Sequence, residues 1–484
     1  MKKNGLFQLI IFFLFFYGCS SKTATYNVNI LNEIPAYWTT EIKLSRFNDN
    51  NWWSMFNDTL LNNYYQKFIN KNPDFLSISN QLNISKQLSN IEGSIIYPSL
   101  SISNVANYSE RNLTSFGFSD EILGSGESEE QQNSNANNDV FTFESGNFGL
   151  NLALQWEVDL WGKLLNARKA AISQNFATQY ELKFLEFSLK AQFIKFFYQT
   201  VEAYQQYELA LKSNESLLHI RNLVETRYKE GLRTSIDLRL AESSFSSSKI
   251  VLENRKIQYK TLLRNLEILM GKYPSGKLLI SSSMPKSLPE IPIGLPADLI
   301  ERRPDIQSEI KKIEAAGYKL AQSKRDRLPS IFLTASGGTS TDALKEILNG
   351  DYTVWSLASN LTVPIFQAGR IKSNIEINQN TLDIAKSIYI KKMLMAFSEV
   401  ETLLFNESSL NIQYEEIINN EEHALATYEL AINRYESGVS DLITVLNLQQ
   451  QWINSKSKKI NIEYQKINNR LNLLLALGGD FNSE

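Results

Sequence analysis

One cysteine, Cys19, serves a chain of 484 residues, so no intrachain disulfide can form. Histidine is almost as scarce, with only His219 and His423. That leaves no His–carboxylate–nucleophile set and no metal-ligand spacing, and neither a cofactor nor a metal is expected. Long apolar runs are missing too, and a mean hydropathy of -0.26 excludes a polytopic helical membrane protein. Positive charge is not in excess: the net charge is -3, and no basic stripe with interleaved aromatics appears, so no nucleic-acid partner is expected. The glycine pair of GSGESE at Gly124 has no helix signal behind it, so it is not a phosphate loop. Nothing in this inventory supports an enzyme.

What is present begins at the N-terminus. Lys2 and Lys3 precede an apolar run from Leu6 to Tyr17 that only Gln8 interrupts. Twelve residues are too few to span a bilayer as a helix, but they suit the core of a signal peptide. The run stops at Gly18-Cys19-Ser20-Ser21. A sole cysteine at that point, behind a small residue, resembles a bacterial lipoprotein processing site, with Phe16 where leucine is more usual. The expectation is a signal peptide over 1–18 and acyl chains such as palmitate on Cys19, anchoring the chain by burial of their CH2 groups. An ordinary secretory signal with an incidental cysteine is the other reading. Both export the chain.

Proline and glycine are absent from two long stretches, and this exposes an internal repeat. From Gly162 to Gly271 there is no proline and one internal glycine, Gly231; from Gly369 to Gly478 there is again no proline and one internal glycine, Gly438. The two glycine sets are displaced by 207, and RYKEG at Arg227 recurs as RYESG at Arg434. Each stretch therefore reads as two long helices meeting at one turn, made twice by duplication. The outgoing limb is roughly 100 Å long and the return limb roughly 60 Å, at about 1.5 Å per residue. An earlier part of each half repeats at a displacement of 231: Asn72-Pro73-Asp74 matches Arg303-Pro304-Asp305, and Pro98 matches Pro329. Proline followed by an acid marks a helix start, so a helix of about 24 residues is expected after Pro73 and after Pro304. The return limb carries a heptad seam of Leu238, Ala241, Phe245, Ser248, Leu252, Arg255, Tyr259, Leu262, Leu266 and Leu269.

Between the short and long helices the pattern changes to period two. In NFGLNLALQWEVD, Phe148, Leu150, Leu152, Leu154, Trp156 and Val158 fall on one face, opposite Asn151, Ala153, Gln155 and Glu157. PSLSISNVANY places Leu100, Ile102, Ala106 and Tyr108 on one side, and the second half repeats the plan with IFLTASG and Trp355, Leu357, Leu361, Val363 and Ile365. The change of offset leaves 24 extra residues in the first half, centred on the acidic, Lys- and Arg-free loop GFSDEILGSGESEEQQNSNANND. Long strands with one apolar face fit an outer-membrane barrel, and they fit a half-buried soluble sheet equally well; the export signal favours the barrel. Four strands cannot close one, so it would be shared between chains.

At this point the sequence resembles a known family. Duplicated strand pairs with long and short helices look like the TolC-like outer membrane factors. The run LPADLIERRPDIQSEI at Leu295–Ile310, and Trp52-Trp53-x-x-Phe56-x-Asp58-x-x-Leu61, resemble the lipoprotein subgroup that serves RND-type efflux pumps. Thr59 stands where that pattern usually has proline. The resemblance implies a mostly α fold with a membrane β-barrel: four β-strands per protomer in a trimeric twelve-stranded barrel, with a long periplasmic α-helical barrel. It implies a lipidated N-terminal segment over 19–72, short helices over 73–97 and 304–328, and strand pairs over 98–161 and 329–368. Helical hairpins would occupy 162–271 and 369–478, with a linker at 272–303 and a tail at 479–484.

The same resemblance implies a passive exit channel in the outer membrane, a homotrimer in contact with outer-membrane lipid. Its partners would be a periplasmic adaptor (a membrane fusion protein) and an inner-membrane RND-type pump. A conduit for type I polypeptide secretion, or a lipid-anchored periplasmic coiled-coil scaffold, are the alternatives. In the family the hairpin tips receive the adaptor, which points to Arg227, Tyr228, Gly231, Arg434, Tyr435 and Gly438; for the two glycines a purely structural role is the alternative. Related channels narrow beyond the second tip at an apolar residue, an aspartate and an arginine. The matching positions here hold Ile443, Asn447 and Gln450, a gate without its charged ring, unless Asn447 and Gln450 only pack between helices.

Overall fold

A computed structural model describes residues 56–112, 142–285 and 298–478, with residues 35, 37–39, 288 and 296 besides. The apolar N-terminal run, Cys19, Trp52, Trp53, the acidic loop and the tail lie outside the described residues. In chain order the elements are α1 (Thr59–Lys71), α2 (Pro73–Ser94), β1 (Ser99–Asn112), β2 (Thr142–Val158), α3 (Lys163–Lys229) and α4 (Ser235–Leu269). Then follow α5 (Asp298–Arg302), α6 (Pro304–Arg325), β3 (Ser330–Thr339), β4 (Thr353–Thr362), α7 (Arg370–Glu436) and α8 (Leu442–Ala476). The duplication is visible in the lengths: α3 and α7 have 67 residues each, α4 and α8 have 35, and α2 and α6 have 22. The glycines that bound each stretch, and the one inside it, all have positive φ. Among the described residues no helix is long and apolar enough to cross a membrane.

The chain divides into two compact units, each drawing on both halves of the repeat. One holds the described residues of 88–172 and 315–382, the other those of 24–87, 173–314 and 383–484. The first is built on a single antiparallel sheet in the order β1-β2-β3-β4. Its register aligns the apolar positions across strands: Leu100 faces Leu154, Ile102 faces Leu152, Leu154 faces Ala335, and Ala335 faces Leu357. Directly opposed residues share a face, so one side of the sheet is apolar from β1 to β4 while Ser, Asn, Thr and Gln line the other. On that apolar side Leu100, Ile102, Trp355 and Leu357 are 65–79% exposed. A soluble sheet of this pattern would need cover on those side chains; a lipid-facing one needs none. β1 and β4 each pair on one side only, so both edges are open. The strand ends are fixed by the indole of Trp156 donating to the Ile96 carbonyl (2.9 Å), that of Trp161 to Pro329 (2.7 Å), and Arg325 Nε to Trp161 (2.6 Å).

The helical unit has an aromatic core that the repeat does not anticipate. Phe56, Leu61, Tyr65 and Phe68 from the α1 region bury against Phe193, Phe197 and Tyr198 of α3, and Phe68 stacks on Phe193 with centroids 4.4 Å apart. Helix α1 itself was not among the expected elements. It starts because Asp58 accepts from the amides of Leu60 (2.9 Å) and Leu61 (3.0 Å), satisfying two of the donors that every helix start leaves open. All ten seam residues of α4 are buried or half-buried, as the heptad spacing requires, while Ile250 and Ile257 between them are exposed.

Candidate functional site at the hairpin tips

Each hairpin turns at the repeated glycine. Where α3 ends, the Gly231 amide donates to the Tyr228 carbonyl (2.9 Å) and the Leu232 amide to the Arg227 carbonyl (2.8 Å). Where α7 ends, Gly438 donates to Tyr435 (3.0 Å) and Val439 to Arg434 (2.8 Å). This pair of bonds closes a helix with a left-handed residue after its end. Gly231 and Gly438 have φ of 76° and 81°, and a Cβ added at either would meet nothing within 4 Å. Backbone conformation, not space, therefore calls for glycine there.

The return helices start with the same chemistry in reversed order. Thr234 accepts from the Asp237 amide (3.2 Å), and the Asp237 carboxylate accepts from the Thr234 amide (3.1 Å). At the matching positions Asp441 accepts from the Thr444 amide (2.8 Å) and hydroxyl (2.8 Å). Those hydrogen bonds hold the Asp441 carboxyl below its ordinary range. Asp237 and Asp441 are thus both engaged in starting a helix.

Beneath the turns, Ile220, Val224, Ala241, Tyr428, Ala431, Tyr435, Leu442 and Val445 from four helices form one buried cluster. The two tips are tied by an arginine clamp. Arg227 donates to the carbonyls of Tyr435 (2.8 Å) and Glu436 (2.5 Å), and its guanidinium lies 5.4 Å from the Tyr435 ring centroid. Arg233 covers the same ring at 4.7 Å. Tyr435 is completely buried, and burial pushes its hydroxyl pKa up against the pull of Arg233 and Arg227. Of the six residues expected at an adaptor surface, Tyr228, Gly231, Arg434 and Gly438 are exposed, Arg227 is half-buried in the clamp, and Tyr435 is core.

The expected gate residues fall on one face of α8. Ile443 is 57% exposed, Asn447 and Gln450 are exposed, and Leu442, Val445 and Gln449 occupy the buried face. Within the chain, then, Asn447 and Gln450 do not pack between helices; Gln450 donates to Asn454 one turn on (2.9 Å). Apolar residues that sequence reasoning passed over stand beside them: Leu232 and Val439 are each 69% exposed, and Ile236 is 74% exposed. Displacement by 207 converts Leu232 to Val439 and Ile236 to Ile443, so the signal was in the repeat.

Residues 64–272 and 295–479 match the model of a family described as outer membrane efflux protein. This chain belongs to the outer membrane efflux protein family. Among relatives in it, the probable efflux pump outer membrane protein SepC of Pseudomonas putida is 27% identical over 249 residues, covering 51% of this chain and 52% of SepC. The solvent efflux pump outer membrane protein SrpC of the same species is 28% identical over 258 residues, covering 52% and 54%. The chain thus spans about half the length of the curated relatives it matches. The fold extends further: the CmeC outer membrane channel of Campylobacter jejuni superposes with a TM-score of 0.80 at 23% identity, over 95% of this chain and 93% of that one. Efflux-family membership accounts for the four-stranded sheet and the duplicated hairpins as one architecture. Among the described residues no group of His, Cys, Asp and Glu is placed to hold a metal ion.

Proposed function

We propose that this chain is the outer-membrane exit duct of a tripartite efflux system, passive and without catalysis. Three copies would close a twelve-stranded barrel in the outer membrane, and Cys19 would add a lipid anchor. The observation that carries this reading is the sheet: its apolar face is bare and both edges are open, which four strands cannot remedy alone. Small molecules would pass through the duct, moved by an inner-membrane RND-type pump.

The periplasmic partner would dock at the tips, on Tyr228, Arg434 and the exposed Leu232 and Val439, with Gly231 and Gly438 shaping the turns. Ile443, Asn447 and Gln450 would line the narrowest part of the closed tube, where an isoleucine ring resists wetting and neutral amides take the place of charges. Opening would then respond less to salt and pH than a charged ring does.

The test is the detergent-corrected mass of the extracted protein together with its conductance in a planar bilayer. Three chains per particle and a conductance that rises in Ile443→Ala would support the duct. A particle that stays soluble as a single chain after the acyl chains are removed would overturn it in favour of a scaffold.

A further inference from the structure

The two tips of one chain differ in a way that points to a contact between copies. Arg227 on the first tip clasps Tyr435 on the second. Displaced by 207, the same two positions are Arg434 on the second tip and Tyr228 on the first. The two turns share three matching backbone bonds, and the second adds one from the Ser440 amide to the Arg434 carbonyl (3.3 Å). Yet Arg434 and Tyr228 are exposed, and the Arg434 guanidinium has no partner among the described residues. Tyr228 offers the carbonyl that matches the one clasped on Tyr435, and Lys229 offers the match to Glu436.

A second joint alternates in the same sense. On α3, Gln206 donates to the Ser457 carbonyl of α8 (3.1 Å) and accepts from the Ser457 hydroxyl (2.8 Å). The displaced positions are Gln413 on α7 and Ile250 on α4. Both are exposed, Ile250 to 64%. The first hairpin therefore meets the second through α3 and α8, while α7 and α4 keep the matching surfaces unpartnered. In a ring of duplicated chains, hairpins alternate first, second, first, second. Every second joint must form between chains, with a second copy supplying the missing half.

We propose that Arg434 of one copy clasps Tyr228 of a second copy at the tips, repeating between chains the clamp that Arg227 makes within one. The clasp between chains is the weaker of the two, because Arg233 maps onto Ser440 and the second cation over the ring is lost. Each chain's pair of tips then moves as one body, and the seams that open lie between chains. This rests on the multi-chain ring proposed above.

The experiment uses the full chain in detergent, with Tyr228→Cys and Arg434→Cys combined, treated with a short bis-maleimide and separated by denaturing electrophoresis. The expected result is a ladder of two and three linked chains, while Arg227→Cys with Tyr435→Cys links only within one chain. Tyr228→Cys alone reads any contribution of Cys19, the chain's one native cysteine. A companion measurement compares conductance: Arg434→Ala should raise the open fraction severalfold over wild type with the three-chain mass kept. A particle of three chains with no links between them, and an unchanged open fraction, overturns the clasp and leaves the ring standing. A single-chain mass overturns both.

Discussion

The two halves of the chain solve one problem with different residues. In the first half Asn72, just ahead of its Pro-Asp, donates to the Leu269 carbonyl (2.8 Å) at the end of return helix α4. In the second half the matching Arg303 donates to the Ala476 carbonyl (3.1 Å) at the end of α8, the position displaced by 207 from Leu269. Asn72 does this as a small amide that also accepts from the Asp74 amide (2.6 Å). Arg303 brings a charge into a site where it is almost fully buried, and a network forms around it. It is bidentate to Asp305 (3.0 Å) and reaches Glu399 (2.8 Å); Lys392 and Lys312 in turn hold Glu309 (3.3 and 3.1 Å). Duplication preserved the backbone link and left the side chains free to diverge. A buried cation must have its acids; a buried amide needs only two hydrogen bonds.

The largest effect expected from breaking this comparison is Arg303→Ala. Removing the cation strands Asp305 beside the α8 terminus, and the loss should be about 3–5 kcal/mol by urea or thermal unfolding in detergent. Asn72→Ala removes neutral hydrogen bonds and should cost about 1–2 kcal/mol. Arg303→Asn sharpens the point. It restores the first half's solution at the carbonyl but leaves Asp305 and Glu399 without the guanidinium, with only Lys392 (3.9 Å) still beside Asp305, so it should stay close to the alanine variant. If Arg303→Asn recovers most of the stability, the ion network is ornament and the carbonyl bond is the whole function of the site.

The long and short helices, their start signals and the turns were legible in the sequence because each rests on local chemistry: a left-handed glycine, a proline with an acid after it, a stretch without breakers. The sheet's face and its four strands were legible for the same reason, since period two is written along each strand. Helix α1 was passed over although its signals were present, an Asp58 cap followed by Leu61, Tyr64, Tyr65 and Phe68 at helical spacing. The arginine clamp was not legible. Arg227 and Arg434 open the same RYxxG motif, and only the packing of one hairpin on the other decides which is engaged. Exposure at Tyr228 and burial at Tyr435 likewise depend on which neighbour the chain itself supplies.

At the turns the two halves should behave alike. Gly231→Ala and Gly438→Ala each force a Cβ into the left-handed region with open space around it, so each should lose roughly 1–2 kcal/mol. Thermal midpoints of the two variants should match closely. A much larger loss at Gly438 would mean that the second turn carries a load the first does not, such as the gate face of α8. The helix starts just beyond are a smaller test. Thr234→Ala should cost about 1 kcal/mol through the lost cap. The exchange of Thr234→Asp with Asp237→Thr copies the arrangement at Asp441 and Thr444, and should leave stability near wild type. At Asp441 hydrogen bonding depresses the carboxyl, so the second cap's contribution is present above the ordinary aspartate pKa and fades as pH falls through the depressed one.

The smallest expected effect concerns a buried acid that has no copy. Glu202 on α3 is nearly buried, accepts from Gln206 (3.1 Å), and maps by 207 onto Ser409 in the second half. Burial raises its pKa, offset in part by the Gln206 hydrogen bond and the Arg255 charge. The folded carboxyl therefore holds its proton more tightly than the unfolded one. Folding is undisturbed by this group at acid pH, a penalty appears as pH rises through the unfolded value, and it is complete above the raised folded one. Glu202→Gln keeps the acceptor and removes the charge, so its thermal midpoint should lie slightly above wild type at neutral pH. The gap should close as the buffer is taken down towards pH 4, where wild type carries the proton as well. A variant less stable than wild type at neutral pH would mean that Arg255 needs the Glu202 charge, and that this contact between α3 and α4 is ionic where its counterpart is not.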